Sequence, residues 1–330
     1  MQRFIIFALV GLGAQLVDGT LGMAYGVTST TLLLIAGSAP ATASAAVHLA
    51  EIGTTLASGA SHWRFGNVEW RLVLPLAIPG AIGAFAGATV LSNLSTEAAV
   101  PWTSTILVVL GAYLLIRFTF RPPKAATGPS RRVGKRFLAP LGVVAGFVDS
   151  TGGGGWGPIA TPTLLGTGRI PPRKVIGSVG TAEFLVAVSA SVGFLLALGD
   201  ENIPFVVVAG LLTGGVIAAP LAAWLVSRFP TRLLGASVGG LVVITNARTL
   251  FRSFDVPADS RTIPYILLYL VWAAALAWSI RGWRLERAEQ AAQAAAGAPA
   301  EGVEAPAVPG QRGDAETAAA ASVTGGDGRG

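Results

Sequence analysis

The chain has 330 residues, 52% hydrophobic and only 12% charged, with a mean hydropathy of +0.63. Soluble domains carry about 25% charged residues, so this composition excludes an ordinary cytosolic enzyme and points to an all-α polytopic membrane protein. The absence of cysteine, with only 2 histidines, excludes disulfides, thiolate zinc sites and iron–sulfur clusters, so no cofactor and no metal is expected.

Residues 4–36 form an apolar stretch too long for one simple helix, broken at Asp18-Gly19-Thr20-Leu21-Gly22. Spans follow at 41–61, 72–91 and 102–118, each near the ~20 residues that a ~30 Å hydrocarbon core demands. After a basic linker, residues 137–165 repeat the broken pattern, interrupted from Asp149 to Pro158. Spans at 175–198, 203–226, 233–250 and 263–280 complete the apolar segments. Glycine costs ~1 and proline ~3 kcal/mol in a helix interior, so both interruptions read as broken helices or re-entrant hairpins. Their arms are expected to be short, about 12–16 residues against the ~20 of a full crossing.

The breaks belong to an internal repeat. Gly11, Asp18, Thr20, Gly22, Tyr25 and Gly26 align at one constant spacing with Gly142, Asp149, Thr151, Gly153, Trp156 and Gly157. Pro40 meets Pro171 in the same register, and Ala50-Glu51 meets Ala182-Glu183 after a one-residue gap. Later, Leu91-Ser92 and Thr96 fall opposite Val226-Ser227 and Thr231. The expected organisation is a first membrane repeat over 1–120, a basic cytoplasmic linker over 121–136 and a second repeat over 137–254. A last transmembrane helix with its flanks occupies 255–286. Residues 287–330 lack aromatics and useful periodicity and cannot bury enough surface to offset ordering entropy, so a disordered tail is expected there. Arg3 before an apolar run superficially resembles a signal peptide, but the equivalent stretch 138–149 lies inside the chain, so retention is expected.

The formal net charge of +6 sits between apolar runs, which fits the positive-inside rule and not a nucleic-acid-binding face. Arg64 and Arg71, the linker 121–136, Arg169 to Lys174, Arg228 with Arg232, and Arg281 to Arg287 mark the basic loops. The loops 37–40, 93–97 and 199–202 have no lysine or arginine. If each broken segment enters and leaves on one side, all these basic loops fall in the cytoplasm, as does the C-terminal tail. Each repeat is then one hairpin plus three spans, so the two homologous repeats are inverted relative to each other, with one additional C-terminal helix. The stretch 248–261 runs against the pattern, since it is expected outside yet carries Arg248, Arg252 and Arg261.

Helix breaks at matching positions of inverted repeats mark a secondary transporter's binding site. Broken helices present unpaired N–H groups and a positive dipole end, and glycines let an oxyanion approach the backbone. The expected ligand is a small anion, contacted by Asp18, Gly19, Thr20, Gly22 and Tyr25 in the first break. In the second break the contacts are Asp149, Ser150, Thr151, Gly152, Gly153, Gly154, Gly155 and Trp156. Two readings stay open for the aspartates, which either cap the half-helices or serve transport. Tyr25 and Trp156 either line the pocket or plug it against neighbouring helices. Glu51 and Glu183 lie mid-span, where a carboxyl has no capping duty and relays protons. His48 precedes Glu51 by three residues, on the same helix face; it either joins that relay or serves as a structural hydrogen-bonding group. Gly80, Gly83 and Gly87 form a small-residue row suited to tight helix crossing. Arg248 either counters a divalent anion or snorkels at the interface.

The motifs Val17 to Gly26 and Val148 to Pro158, followed by Ser178-Val179-Gly180-Thr181-Ala182-Glu183, resemble the sulfite exporter TauE/SafE family of membrane transporters. The resemblance covers roughly residues 4–282, and the first motif has Leu21 and Met23 where the family commonly has glycine. It implies movement of sulfite, sulfonates or related organic anions across the cytoplasmic (inner) membrane, with the lipid bilayer and the anion as partners. A homo-oligomer is compatible with the sequence. A non-transporting membrane scaffold is the alternative; a membrane enzyme has little chemistry to draw on here.

Overall fold

A computed structural model describes residues 2–21, 23–120, 131–199, 203–225 and 231–297. Gly22, the linker residues 121–130, the loop residues 200–202, Val226 and Ser227, and the tail 298–330 lie outside the described residues. Among the described residues there are eleven helices and no strand. In chain order they are α1 (Gln2–Leu21), α2 (Tyr25–Ile35), α3 (Pro40–Arg64), α4 (Trp70–Asn93) and α5 (Thr96–Phe120). Then follow α6 (Lys135–Gly152), α7 (Trp156–Gly166), α8 (Pro172–Leu198), α9 (Phe205–Leu225), α10 (Thr231–Ser253) and α11 (Ala258–Gly297).

Five of these are long and apolar enough to cross a membrane: 70–93, 96–120, 172–198, 232–253 and 258–289. The protein is therefore a multi-pass helical membrane protein. α3 is long enough but falls short in hydropathy, because its middle carries Ser44, His48, Glu51, Thr54 and Thr55. That polar face is buried in the centre of the bundle, where Ser44, His48 and Glu51 are almost fully covered.

The breaks differ in detail from the sequence expectation. Asp18 to Leu21 are still helical, as are Asp149 to Gly152, so among the described residues the interruptions lie at Met23–Ala24 and Gly153–Gly155. The first arms are 20 and 18 residues long, not 12–16, and only the second arms, 11 residues each, are short. The reason is packing. α1 lies along α9 and α6 along α4, so burial along each helix offsets the weak intrinsic propensity of its last-turn glycines. Pro158 is the third residue of α7, where first-turn N–H groups have no helical acceptor and the ring removes no bond. Gly153 ends α6 in the left-handed region at φ 69°, the conformation glycine adopts without a Cβ penalty.

The halves interlock instead of sitting side by side. α1 packs on α9, α6 on α4, α8 on both α3 and α4, and α5 on α10. Small residues make this approach feasible: Gly11 lies against the Leu211 carbonyl, Gly142 against that of Leu76, and Gly83 against that of Val143. Gly80 and Gly87 serve the same crossing, facing Trp156 and Phe147. The largest apolar core joins α4 and α8 through Leu76, Leu91, Val186 and Phe194, and Trp156 of α7 belongs to it.

One end of the bundle is fixed by polar contacts between separate loops. The Arg131 N–H donates to the Arg169 carbonyl at 2.6 Å, so α6 begins where α7 ends and the two form a hairpin. At 3.1 Å the Lys174 ammonium meets the Glu69 carboxylate, and the Glu69 N–H donates to Ser178 Oγ at 2.8 Å. α11 continues to Gly297, past the point where the tail was expected to begin at Arg287. Its sequence there is rich in alanine with glutamate and glutamine, which are strong helix formers. Residues 286–297 of this helix belong to a second compact unit, Glu286–Gly330.

Candidate functional site

The two breaks meet tip to tip. A Cβ on Gly154 would collide with the backbone of Gly26 and Val27, and Gly157 lies against Met23. The Thr30 hydroxyl donates to the Gly153 carbonyl across the same junction. Thr103 Oγ1 donates to the Thr151 carbonyl at 2.9 Å, and Ser44 Oγ donates to the Ser150 carbonyl at 2.7 Å. The end of α6 is thus held by hydroxyls from α2, α3 and α5. Sequence reasoning missed Ser44, Thr30 and Thr103, since a hydroxyl in an apolar span looks the same whether it bonds its own helix or another.

Both aspartates cap the helix that follows them. Asp149 Oδ1 accepts the N–H groups of Gly155 at 2.7 Å and Trp156 at 3.0 Å. Its own carbonyl accepts the Gly154 N–H at 2.9 Å. Asp18 Oδ1 accepts the Tyr25 N–H at 3.3 Å. The N–H donors expected to be free for an anion are therefore engaged by the protein's own carboxylates. A carboxylate is a natural occupant of a helix N-terminus.

Asp149 makes a second contact. Its Oδ2 lies 3.1 Å from Nε2 of His48, with both residues buried. Nδ1 of the same ring is 2.8 Å from the Ser44 carbonyl, which has no hydrogen to give, so Nδ1 carries one. Beside its helical neighbour Glu51, His48 thus gains a contact across the two halves. Nothing local could reveal it, because Asp149 lies 101 residues away in sequence.

Glu51 stays close to this pair. Its carboxylate, His48 and Asp149 present ligand-type atoms within 4.8 Å of one another, which is the spacing of a metal-binding trio. In this arrangement, however, Nε2 and Oδ2 face each other at hydrogen-bond distance, a contact that an ion would have to open. Glu51 Oε2 is buried without a hydrogen-bond partner, while Oε1 lies beside Gly26 at the tip junction. Glu183 on α8 is half-buried, and Asp18, Asp149 and Glu183 all act electrostatically on Glu51. The structure thus brings the paired acids together around the tips.

The remaining expected residues fall at the edge of this centre. Tyr25 donates its hydroxyl to the Leu211 carbonyl at 3.3 Å, and Trp156 Nε1 donates to the Val179 carbonyl at 3.0 Å. Trp156 is fully buried against Gly80, and Tyr25 sits beside Gly215, so both rings pack against the opposite half. Gly152 contacts Ile106, and Gly155 packs on Val148 and Asp149. Ser150 Oγ is buried with no partner, and Thr151 Oγ1 bonds its own helix at Phe147. Gly19 and Thr20 are in the last turn of α1, their side chains outside the described ones. Arg248 is exposed, whereas Asn246 is buried and bonds Thr31 at 3.1 Å.

An all-helical, multi-pass membrane protein with two matched helix breaks meeting at buried carboxyls has the architecture of a membrane transporter. Residues 7–249 match the family described as sulfite exporter TauE/SafE, and the chain belongs to that family. It is 50% identical over 276 residues to the probable membrane transporter protein YtnM of Bacillus subtilis (strain 168), covering 84% of this chain and 92% of that protein. It is also 24% identical over 185 residues to the probable membrane transporter protein YdhB of the same organism, covering 56% of this chain and 74% of that one. No solved structure matches the chain.

Proposed function

We propose that this chain is a proton-coupled secondary transporter that moves a small anion, such as sulfite, a sulfonate or a related organic anion, across the cytoplasmic membrane. The observation that carries the reading is the meeting of two helix breaks at Gly26 and Gly154, ringed by Asp18, Glu51, Asp149 and Glu183. The anion site lies between the tips, with the break residues from Asp18 to Tyr25 and from Asp149 to Trp156 forming its walls. Asp18 and Asp149 already hold the N–H groups an oxyanion needs, so binding requires a carboxylate to yield its place. Glu51, Glu183 and His48 supply the coupled proton.

The inverted arrangement has support of its own. Arg131 meets Arg169, and Glu69 meets Lys174, so three basic loops gather at one end of the bundle. In this reading that end is the cytoplasmic one by the positive-inside rule and the second break is re-entrant. Uptake of labelled sulfite, sulfoacetate and acetate into proteoliposomes under an imposed pH gradient tests the function. Flux of one of them above empty vesicles is expected; none for any anion would favour a membrane scaffold.

A further inference from the structure

His48 and Asp149 are the only ionisable pair in hydrogen-bond contact at the tips among the described residues, and their contacts assign the hydrogen on one ring nitrogen. Nδ1–H is committed to the Ser44 carbonyl. Nε2 and Oδ2 are then both lone-pair acceptors unless one further proton lies between them. With that proton the contact is a charge-assisted bond joining α3 of the first half to the end of α6 in the second. Without it, a ring lone pair faces a carboxylate at 3.1 Å in a buried setting, and the contact becomes repulsive. We propose that His48 and Asp149 form a proton-held latch that keeps the second break closed against α3 and opens when the shared proton leaves.

The latch is one-sided. By the repeat register, Gly180 on α8 occupies the place that corresponds to His48, and among the described residues nothing lies within 4 Å of where its Cβ would be. Asp18 therefore caps α2 and has no imidazole opposite it, so the proton acts on the second tip alone. Of the titratable groups around the pair, Glu51 from α3 and Glu183 from α8 interact with Asp149 directly, while Asp18 from α1 interacts with both glutamates and Tyr25 from α2 with Glu51 and Asp18. Of these, Glu51, one turn from His48 and with an unpartnered oxygen, is the nearest acceptor for the departing proton. The proposal rests on the reading of this centre as the transport site, but its test uses no anion and no flux, so the two fail separately.

The chain is free of cysteine, and Ser150 Oγ is buried beside Asp149 without a partner, so Ser150→Cys places a thiol on the tip at little structural cost. The measurement is its alkylation rate by N-ethylmaleimide in detergent between about pH 5 and 9, divided by the rate for the denatured chain at the same pH to remove thiolate chemistry. The corrected rate should rise at least about tenfold as the pair loses its proton, which corresponds to a shift of one decade in the open population. In Asp149→Asn the amide oxygen keeps the cap and the NH2 donates to neutral His48, so the tip should stay protected at every pH. With His48→Ala it should be labelled quickly at every pH. A flat corrected rate in the Ser150→Cys protein, or an Asp149→Asn profile that follows it, overturns the latch. If His48→Ala fails to fold, the Asp149→Asn comparison still decides.

Discussion

Gly26 and Gly154 touch backbone to backbone, and this contact joins the first break to the second. Gly154 also has φ 153°, a conformation that L side chains rarely adopt. Gly154→Ala should therefore destabilise the protein by about 1–3 kcal/mol from the strained backbone and forced repacking. Gly180→Ala is the control, since it lies within α8 and its Cβ meets nothing among the described residues. That change should be neutral or stabilising, by up to about 1 kcal/mol. Thermal unfolding of both variants in detergent measures the difference, and equal midpoints would show that the tips are not in contact.

The two glutamates carry the coupling prediction. Glu→Gln keeps shape and hydrogen-bonding capacity but fixes a neutral side chain. Glu51→Gln and Glu183→Gln should fold and leave anion binding measurable, while flux in proteoliposomes loses its dependence on the pH gradient. Wild-type pH dependence in both single variants and in the double variant would remove these residues from the relay. Asp18→Ala, by contrast, removes the acceptor of the Tyr25 N–H, and a lost cap costs about 0.5–2 kcal/mol. Its effect should appear first in stability.

Topology is tested with single cysteines. Glu69 and Lys174 are in contact at 3.1 Å, so cysteines placed one at a time at these positions must label from the same face with an impermeant thiol reagent. Ser95, in the loop without lysine or arginine, should label from the opposite face. Labelling of all three from one side would sink the inverted-repeat reading. The ion pair itself is partly solvated, so Lys174→Met should change stability by no more than about 1 kcal/mol.

His62 provides a pH signal away from the centre. It is half-buried in the last turn of α3, and burial pushes its imidazole below the usual histidine range. The folded state therefore prefers the neutral ring more than the unfolded chain does. Its contribution to stability is full above the unfolded histidine value of about 6.5 and is lost as pH falls below it. With only 2 histidines in the chain, ring NMR with His62→Gln as the assignment control should show its midpoint below that value. A midpoint at that value would mean that His62 is solvated, and one above it that it is paired with an acid.

The sequence by itself determined the class of the protein, the repeat and the approximate place of both breaks. Those properties are local: apolar runs of membrane length, glycines where a helix must stop, and aspartates and glutamates that recur in register. Even the capping reading of Asp18 and Asp149 was available, because an acid just before a half-helix has few other backbone donors in reach. Where each break falls was decided by tertiary packing. Burial of α1 against α9 and of α6 against α4 carries the helices through Asp18 and Asp149 to the following turn. The partner of His48 was decided there too. Helical spacing offered Glu51, but the folded chain brings Asp149 from the other half to Nε2, and Ser44 one turn back fixes the ring's orientation. Contacts between distant segments depend on how two halves interlock, and no periodicity along one segment encodes that.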